Sequence, residues 1–271
     1  MKDITTQLQD LRYLTWSERM NTSGTGGCFL KSREETGAGI WYYKLSCYDS
    51  YRGIYGHECA NEIIASRLMG KLGIDHLDYR LVHALITIDG TEYETWLNRS
   101  RSFRKPGEKK QALDTFYDLH KQPGESPLDL CSRFGWADRI SQIMLVDYLI
   151  ANRDRHGANI EVLQSNDGSL RLAPIFDNGL SFVFSCYDDE ERARSFDALK
   201  DVNANNYLGT RSLKENLLRF VSRSLQLNTL GQEDVDDILL GMEPVLPQSH
   251  LDKIAEMIEK RWHVYEMLRN N

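Results

Sequence analysis

The stretch 141–182 constrains this chain more than any other part of its sequence. Its first third is apolar at helical spacing, a polar loop follows, and the alternating residues 170–174 are typical of a short strand. The loop carries Asp154 and Asn159 with four residues between them, and Asp177 opens an Asp-Asn-Gly triplet after the strand. The sequence therefore predicts a helix, a polar loop and a short hairpin that carry two carboxylates and one amide.

These three side chains meet the requirements of phosphoryl transfer. A carboxylate such as Asp154 accepts the proton of an attacking hydroxyl without competing with it as a strong nucleophile. The amide oxygen of Asn159 and the charged oxygen of Asp177 are hard ligands of the kind that Mg²⁺ prefers beside phosphates and water. Protein kinases space a catalytic Asp, a metal-binding Asn and a second Asp before a Gly in this way. We therefore predict Asp154 as the general base and Asn159 and Asp177 as metal ligands.

The same residues also have an ordinary structural interpretation. In that interpretation Asp154 and Asn159 cap nearby backbone groups, and Asp177-Asn178-Gly179 is a hairpin turn. The loop around Asp154 also contains two arginines and a histidine, which concentrate positive charge close to where phosphates would lie. Residues upstream in the chain are needed to choose between the two interpretations.

Composition and charge narrow the class of protein. A chain of 271 residues, 41% of them hydrophobic, can bury an ordinary core in one large domain or two lobes. The formal charge of −7 argues against nucleic-acid binding through a basic face, so nucleic acid is not expected as a direct partner. The five cysteines are scattered without metal-ligand spacing, as in a reduced protein. We predict a cytoplasmic protein without membrane contact, because no apolar run approaches the length of a membrane span.

A stretch of small residues at 21–27 can bring backbone N–H groups and hydroxyls close to a phosphate. The residues predicted to form this phosphate loop are Ser23, Gly24, Thr25, Gly26 and Gly27. The stretch lacks both the Walker spacing and the dinucleotide fingerprint, so a flexible hairpin loop is the alternative.

The segment 39–46 is rich in aromatic and apolar residues, as expected of a buried strand, and carries Lys44 in its second half. A lysine in such a strand either reaches solvent or meets an anion, such as a nucleotide phosphate and a carboxylate. The following segment 57–72 has helical apolar spacing, with Gly73 as its predicted end. Glu58 and Glu62 are the candidate partners of Lys44 on this helix, and the alternative is that both face solvent.

The rest of the chain divides into two parts. Residues 79–98 alternate around Asp89-Gly90 and predict a hairpin that extends a sheet, whereas the segments after residue 112 have helical spacing. Residues 1–20 predict a short amphipathic element with near-helical spacing. We predict an α+β, two-lobed fold, in which residues 1–105 form a small mixed α/β lobe with an antiparallel sheet and residues 106–271 form a mainly α-helical lobe. The basic segment 99–110 is the predicted boundary.

The order of these features is that of a two-lobed kinase. A small-residue loop, a strand lysine, a helix glutamate, Asp-x-x-x-x-Asn and Asp-x-Gly follow one another along the chain. Within this group, Asn152-x-Asp154-Arg155-His156-x-x-Asn159 followed by Pro174-Ile175-Phe176-Asp177 resembles the HipA-like serine/threonine kinases. The Asp-Arg-His-x-x-Asn part is shared with phosphatidylinositol kinases. The resemblance covers residues 21–265.

The resemblance implies specific roles. Asn61-Glu62 and the later Leu72-Gly73 are similar to a family pattern, which favours Glu62 over Glu58 as the partner of Lys44. By the same carry-over, Lys44 contacts the phosphates of ATP, Mg²⁺ is the metal, and His156 positions groups in the catalytic loop. Because Asp177-Asn178-Gly179 replaces the usual Asp-Phe-Gly, regulation by a swinging Phe is not expected.

The predicted function is transfer of the γ-phosphoryl group of ATP to a Ser or Thr hydroxyl of a protein substrate, with the chain itself as a further acceptor. An antitoxin-like or regulatory protein is a second expected partner. A lipid kinase is disfavoured because the sequence has no lipid-anchoring amphipathic segment. The alternative from another class is a catalytically silent kinase fold or phage-type regulatory module that acts by protein or DNA binding.

Overall fold

The computed structural model describes residues 3–17, 29–37 and 39–270. Within these residues the strands are β1 (Ile4–Asp10), β2 (Phe29–Thr36), β3 (Gly39–Asp49), β4 (Gly53–Tyr55), β5 (Tyr79–Ile88), β6 (Thr91–Arg101), β7 (Lys109–Ala112), β8 (Asp154–Arg155), β9 (Glu161–Gln164), β10 (Leu170–Leu172) and β11 (Asn205–Asn206). The helices are α1 (Glu58–Leu72), α2 (Leu113–His120), α3 (Pro127–Arg133), α4 (Ala137–Leu149), α5 (Glu190–Ser195), α6 (Leu213–Phe220), α7 (Gln232–Leu239) and α8 (Gln248–Asn270). Short 3-10 helices lie at Gly157–Asn159 and Phe184–Cys186.

The first part of the chain builds a twisted sheet. Its strand order is β1-β5-β6-β3-β2, and β4 pairs with the end of β3. The predicted hairpin is confirmed as β5 and β6, which turn at Asp89 and Gly90. Both turn residues have positive φ, 48° and 80°, as the tight turn of a right-twisted hairpin requires. β1 pairs with β5 in parallel, and the other described pairs of this sheet are antiparallel.

The prediction of near-helical spacing for residues 1–20 was wrong for the residues that the structure describes there. Residues 4–10 form strand β1, and Leu11 continues it by donating its backbone N–H to the carbonyl of Leu85 at 2.8 Å. The segment contains Ile4, Thr5 and Thr6, which are β-branched and favour a strand. An open edge of β5 was available to pair with it, and this long-range pairing is invisible in the local spacing.

Helix α1 lies between the sheet and the helical part of the molecule. Its apolar side chains Ile63, Ile64, Leu68, Met69 and Leu72 are fully buried. At its C-terminal end Gly73 adopts a left-handed conformation with φ 74° and donates its N–H to the carbonyl of Gly70, which confirms the predicted end of the helix. The helix is thus a central element, covered on both sides.

The second part of the chain is mainly helical, which confirms the predicted α+β class. Helices α4 and α8 pack against each other in the core, and two small sheets, β10-β9-β7 and β11-β8, lie beside them. The sequence reasoning missed α3, which starts with a capping box of Ser126 and Asp129, and also missed α5. The predicted boundary at residues 105–106 lies in the connection between β6 and β7, and it stays a prediction.

Strand alternation decides which side chains of the sheet face the helices. Tyr43 and Leu45 on β3 are buried in a small apolar cluster together with residues of β5. Lys44 lies between them in sequence and therefore points to the opposite face of the sheet. A larger apolar cluster joins α1 to the helices of the second part. None of the helices in the described ranges is both long and apolar enough to cross a bilayer.

A buried arginine on α8 offers a test of this helical packing. The Arg261 guanidinium is fully buried and donates to three backbone carbonyls, those of Tyr148 and Ala198 at 2.8 Å and of Lys200 at 2.6 Å. We expect Arg261→Lys to lower the free energy of unfolding by about 3 kcal/mol, because a single ammonium cannot satisfy three diverging carbonyls. Urea unfolding of both proteins measures the loss. The matched change Arg223→Lys at an exposed position is expected to have no effect, and equal stability of the two variants would contradict the assigned role.

Candidate active site

Three elements bring charged side chains together on the helix-facing side of the sheet. The Lys44 ammonium on β3 lies 3.4 Å from Glu62 Oε1 on α1 and forms an ion pair with Asp177 in the loop after β10. The Glu62 side chain is 0% exposed, and that of Lys44 is 13% exposed. One cation therefore pairs with two carboxylates that come from two different parts of the chain.

The ionisation of these groups follows from burial and from their mutual attraction. Burial opposes the charged form of Lys44, but the carboxylates of Asp177 and Glu62 raise its pKa well above the usual value. Burial raises the pKa of Glu62, and the Lys44 cation opposes that rise. Burial also acts to raise the pKa of Asp177, but Lys44 and Lys31 together hold it far below its usual range. At neutral pH the site therefore contains a charged lysine and an ionised Asp177.

Helix α1 also holds the backbone of the Asp177 loop. Glu62 Oε2 accepts the backbone N–H of Asn178 at 2.9 Å, and the Asn61 side-chain amide donates to the carbonyls of Gly179 at 2.8 Å and Ser181 at 3.0 Å. Glu58 points elsewhere, since its carboxylate accepts from the thiol of Cys47 at 3.2 Å. The structure thus brings Lys44 to Glu62 and not to Glu58.

Asp177 adopts an unusual backbone conformation. Its φ is 59°, in the left-handed region that residues with a Cβ seldom occupy. Its N–H donates to the Tyr79 hydroxyl at 3.4 Å, and its carboxylate is paired with Lys44. Strain of this kind persists only where the surroundings fix it, and it concentrates at functional sites. The alternative of a hairpin turn is wrong, because Asp177 lies after β10 and not between paired strands.

Arg155 connects the loop of Asp154 and Asn159 to the Asp177 loop from inside the protein. Its guanidinium donates to Asp147 Oδ1 at 2.8 Å, to the carbonyl of Phe176 at 2.9 Å and to Asn178 Oδ1 at 2.7 Å. Arg155 is only 1% exposed. The expectation that this arginine adds positive charge beside the phosphates was therefore wrong, because Arg155 is buried and forms its ion pair with Asp147 of α4. Sequence reasoning missed Asp147, which looks like one polar residue in an apolar helix.

The predicted base and its neighbours form a second group in the same loop. Asp154 Oδ1 accepts from the Asn205 side chain at 3.1 Å, and Asp154 Oδ2 lies 3.6 Å from His156 Nε2. His156 Nδ1 accepts the backbone N–H of Ala158 at 3.2 Å, so a neutral ring carries its proton on Nε2, which faces Asp154. The Asp154 carboxylate is 14% exposed, which leaves it accessible to an incoming hydroxyl.

The side-chain amide of Asn159 is oriented like that of a metal-binding residue. Its side-chain N–H donates to the backbone carbonyl of Asp154 at 2.9 Å, and its Oδ1 is buried without a partner among the described residues. An unpaired buried carbonyl oxygen is costly, so such an atom fits a cation. Within the described ranges, no group of three or more His, Cys, Asp or Glu could hold a metal by itself. The donor set of Asn159 and Asp177 therefore fits Mg²⁺ that is completed by phosphate oxygens and water.

A cavity of about 390 Å³ opens beside Lys44 and Asp177. Residues of β2, β3 and β6 line one side of the cavity, and Glu161 and Phe176 line the opposite side. The cations that line it are Lys31, Arg33, Lys44, Arg101, Arg104 and Lys110. Its carboxylates are Asp177 and Glu161, and Glu161 pairs with Lys110 at 2.7 Å. The cavity therefore carries an excess of positive charge and suits an anionic ligand.

Further cavity residues were missed by the sequence reasoning. The Asn98 side chain is 1% exposed, and both its amide atoms lack a partner among the described residues. The rings of Phe103 and Phe176 stack with their centroids 5.6 Å apart. Alternation along β6 was the only available signal for Asn98, and nothing local marked Glu161. The predicted phosphate loop, Ser23, Gly24, Thr25, Gly26 and Gly27, lies outside the described residues.

Comparison with known proteins identifies the fold. No protein-family model matches this sequence, and no curated protein is significantly similar to it. The crystal structure of the Helicobacter pylori proinflammatory kinase CtkA matches with a TM-score of 0.60, over 96% of this chain and 97% of that chain, at 16% sequence identity. This chain has a two-lobed, HipA-like kinase fold. HipA of Shewanella oneidensis MR-1, in its complex with HipB and operator DNA, is 15% identical, with a TM-score of 0.40 over 93% of this chain and 61% of that chain.

The kinase fold explains why distant residues meet. Lys44 comes from β3, Glu62 comes from α1 and Asp177 comes from the loop after β10, and the cavity opens beside Lys44 and Asp177. At such low identity the likeness concerns the fold. The chemistry has to be argued from the side chains themselves.

Removal of Lys44 tests the buried charge cluster. We expect Lys44→Met to lower the free energy of unfolding by about 3 kcal/mol, because it leaves Glu62 buried without its cation. Lys71→Met is the matched control, since Lys71 on the same helix as Glu62 also contacts two carboxylates but is 33% exposed. Its loss is expected to be much smaller. Equal losses in urea unfolding would contradict a special role of the buried pair.

The Lys44→Met variant is also expected to depend on pH in a defined direction. Burial already raises the pKa of Glu62 in the folded protein, and loss of the cation raises it further. A carboxyl whose pKa is higher in the folded than in the unfolded state contributes stability at low pH and loses it as the pH rises. The destabilisation by Lys44→Met should therefore be smaller at pH about 5 than at pH about 8. A loss that is independent of pH would contradict this account.

Proposed function

We propose that this chain is an ATP- and Mg²⁺-dependent phosphotransferase that transfers the γ-phosphoryl group of ATP to a Ser or Thr hydroxyl of a protein. One observation carries the proposal. The cation of Lys44 is held between a fully buried Glu62 and the strained Asp177 at the edge of a cation-lined cavity. Such a cluster costs stability to assemble, and it places charge where nucleotide phosphates would need it.

The cavity supports the nucleotide part of the proposal. Its volume of about 390 Å³ lies within the range of sites for small molecules. Phe103 and Phe176 offer flat apolar surface for a base, and Asn98 offers an amide that has no partner among the described residues. Lys44, Lys31 and Arg33 lie along β2 and β3 on the same side of the cavity, where they can neutralise a polyphosphate. The proposed nucleotide therefore has both an apolar and a strongly anionic part.

The large lobe would supply the catalytic groups. Asn159 and Asp177 would hold Mg²⁺, which neutralises charge on the phosphate oxygens when bound. Asp154 Oδ2 would accept the proton of the substrate hydroxyl. At the same time the hydroxyl oxygen would form a bond to the γ-phosphorus, and the bond between that phosphorus and the leaving oxygen of ADP would break. The Asn205 amide keeps the other oxygen, Oδ1, in place. His156 and Asn159 fix the loop that follows the base, because His156 accepts the N–H of Ala158 and Asn159 donates to the carbonyl of Asp154.

The proposed substrate class rests on the resemblance of residues 152–159 and 174–177 to HipA-like serine/threonine kinases. The Helicobacter pylori protein with the same fold is itself described as a kinase. We further propose the cytoplasmic location that the sequence predicts and, from the sequence resemblance, a regulatory protein as partner. A catalytically silent module is the competing proposal, and the two experiments below separate it from an enzyme.

Nucleotide binding is tested by thermal unfolding with ATP, with Mg²⁺ and with both. Ligand at about a hundred times its dissociation constant adds about 2.7 kcal/mol, or roughly 5 to 10 °C for a chain of this size. We expect Asp177→Asn to lose the part of the shift that depends on Mg²⁺. Asp167→Asn, an exposed carboxylate in the turn between β9 and β10, is the matched control and should respond like the unaltered chain. If millimolar ligand does not shift the unfolding temperature, the proposed nucleotide site is refuted.

Catalysis is tested with radiolabelled ATP, by following phosphate release and labelling of the chain itself. Loss of the base typically lowers such rates by about 10²- to 10⁴-fold, so we expect a decrease of this size for Asp154→Asn with ATP binding retained. Asp188→Asn is the matched control, because Asp188 is exposed and its side chain has no hydrogen bond or ion pair with the other described residues. A chain that binds ATP with Mg²⁺ but shows no turnover of any kind would support the silent module instead.

A further inference from the structure

Lys31 on β2 is the direct cross-strand neighbour of Lys44. The two strands are antiparallel, and Lys31 and Lys44 are partners in their register. Residues directly opposite in an antiparallel pair point to the same face of the sheet, with Cα atoms about 4.5 to 5.5 Å apart. Both residues line the cavity. Two ammonium groups therefore face the same anion-sized space.

The two lysines differ in their partners. Lys44 contacts Glu62 and Asp177, and Lys110 across the cavity contacts Glu161. The half-buried Lys31 side chain has no hydrogen bond or ion pair with the described residues, although its backbone pairs with Ser17. A cation that is partly withdrawn from water, beside a second cation and without a contacting carboxylate in the described part of the chain, is in an unfavourable arrangement.

The electrostatic surroundings agree with this description. Burial lowers the pKa of Lys31, and the cation of Lys44 lowers it further, with a smaller contribution from Lys110. The carboxylates of Asp177 and Glu62 act in the opposite direction from a distance. An anion bound beside Lys31 would therefore stabilise the charged form of this lysine.

We infer that Lys31 is a second phosphate-binding lysine, which contacts the polyphosphate of the bound nucleotide beside Lys44. This inference rests on the proposed nucleotide site and adds to it a residue that no motif of the sequence marks. A phosphate between the two ammonium groups replaces their repulsion by two charge-assisted hydrogen bonds. Lys31 therefore selects for ligands with several phosphates and makes no contribution to binding of the nucleoside.

A structural role for Lys31 makes different predictions. In that role the lysine only offsets the negative charge of Asp177 and Glu62. Its removal would then destabilise the protein without ligand, and it would weaken the binding of nucleoside and nucleotide alike. The phosphate-binding role predicts no loss of stability in the ligand-free protein, because removal of Lys31 ends its repulsion with Lys44, which outweighs its more distant attraction to Asp177 and Glu62.

The test is calorimetric titration of the full chain with ATP, ADP and adenosine, each without divalent metal and with Mg²⁺. We expect Lys31→Met to weaken ATP and ADP binding by about tenfold or more, as for loss of a charge-assisted hydrogen bond, and to leave adenosine binding unchanged. Lys31→Arg should retain most of the affinity. Lys109→Met is the matched control, because Lys109 on β7 is exposed and does not line the cavity. The ligand-free midpoint of Lys31→Met should not fall below that of the unaltered chain.

The outcomes separate this inference from the proposed function. If the unaltered chain binds ATP and Lys31→Met binds it equally well, the role of Lys31 is refuted and the nucleotide site stands. Equal weakening of adenosine and ATP, or a fall in stability like that of Lys44→Met, also refutes it in favour of a structural role. If the unaltered chain binds none of the three ligands, the proposed function fails and the inference falls with it.

Discussion

A carboxylate that is completely withdrawn from water is the constraint on which the site depends. Glu62 is buried between the sheet and the helices, where an ionised group persists only with a cation and hydrogen-bond donors around it. The strand supplies Lys44, and the backbone of Asn178 supplies an N–H. Each of these donors comes from a different lobe. The requirements of one side chain therefore fix the relative placement of the strand, the helix and the Asp177 loop.

A second buried charge does the same for the large lobe. Arg155 connects Asp147 of α4, the carbonyl of Phe176 and the side chain of Asn178. Asn178 is thereby held from both sides, by Glu62 through its backbone and by Arg155 through its side chain. The residue before it, Asp177, has little freedom left, which explains how a left-handed conformation is maintained there. Rigid support of this kind is what a site needs to hold charges ready for phosphates.

The candidate residues that the sequence predicted are those whose geometry is local. Asp154 and Asn159 lie in one short loop, and Lys44 was marked by its position in an apolar strand, so all three could be proposed from sequence spacing. Features that depend on long-range pairing could not be predicted from the sequence. Strand β1 forms because β5 leaves an edge open, and Lys31 matters only because the register sets it opposite Lys44. The internal role of Arg155 depends on Asp147, and an arginine in a basic loop gives no sign of its burial.

The glycine of the Asp-x-Gly triplet determines how closely α1 approaches the Asp177 loop. A Cβ at Gly179 would lie 2.9 Å from Glu58 Cβ and 3.3 Å from the Glu58 carbonyl oxygen, so the first turn of α1 rests directly on this backbone. Asn61 and Glu62 bond to the same loop, and Arg67 further along α1 donates to the carbonyl of Ile238 at the end of α7. Helix α1 is thus fastened along its length to the helical lobe. A side chain at position 179 would therefore force α1 away from this loop, and it would disturb the sheet as well, because the same helix also holds the sheet through Glu62 and Lys44.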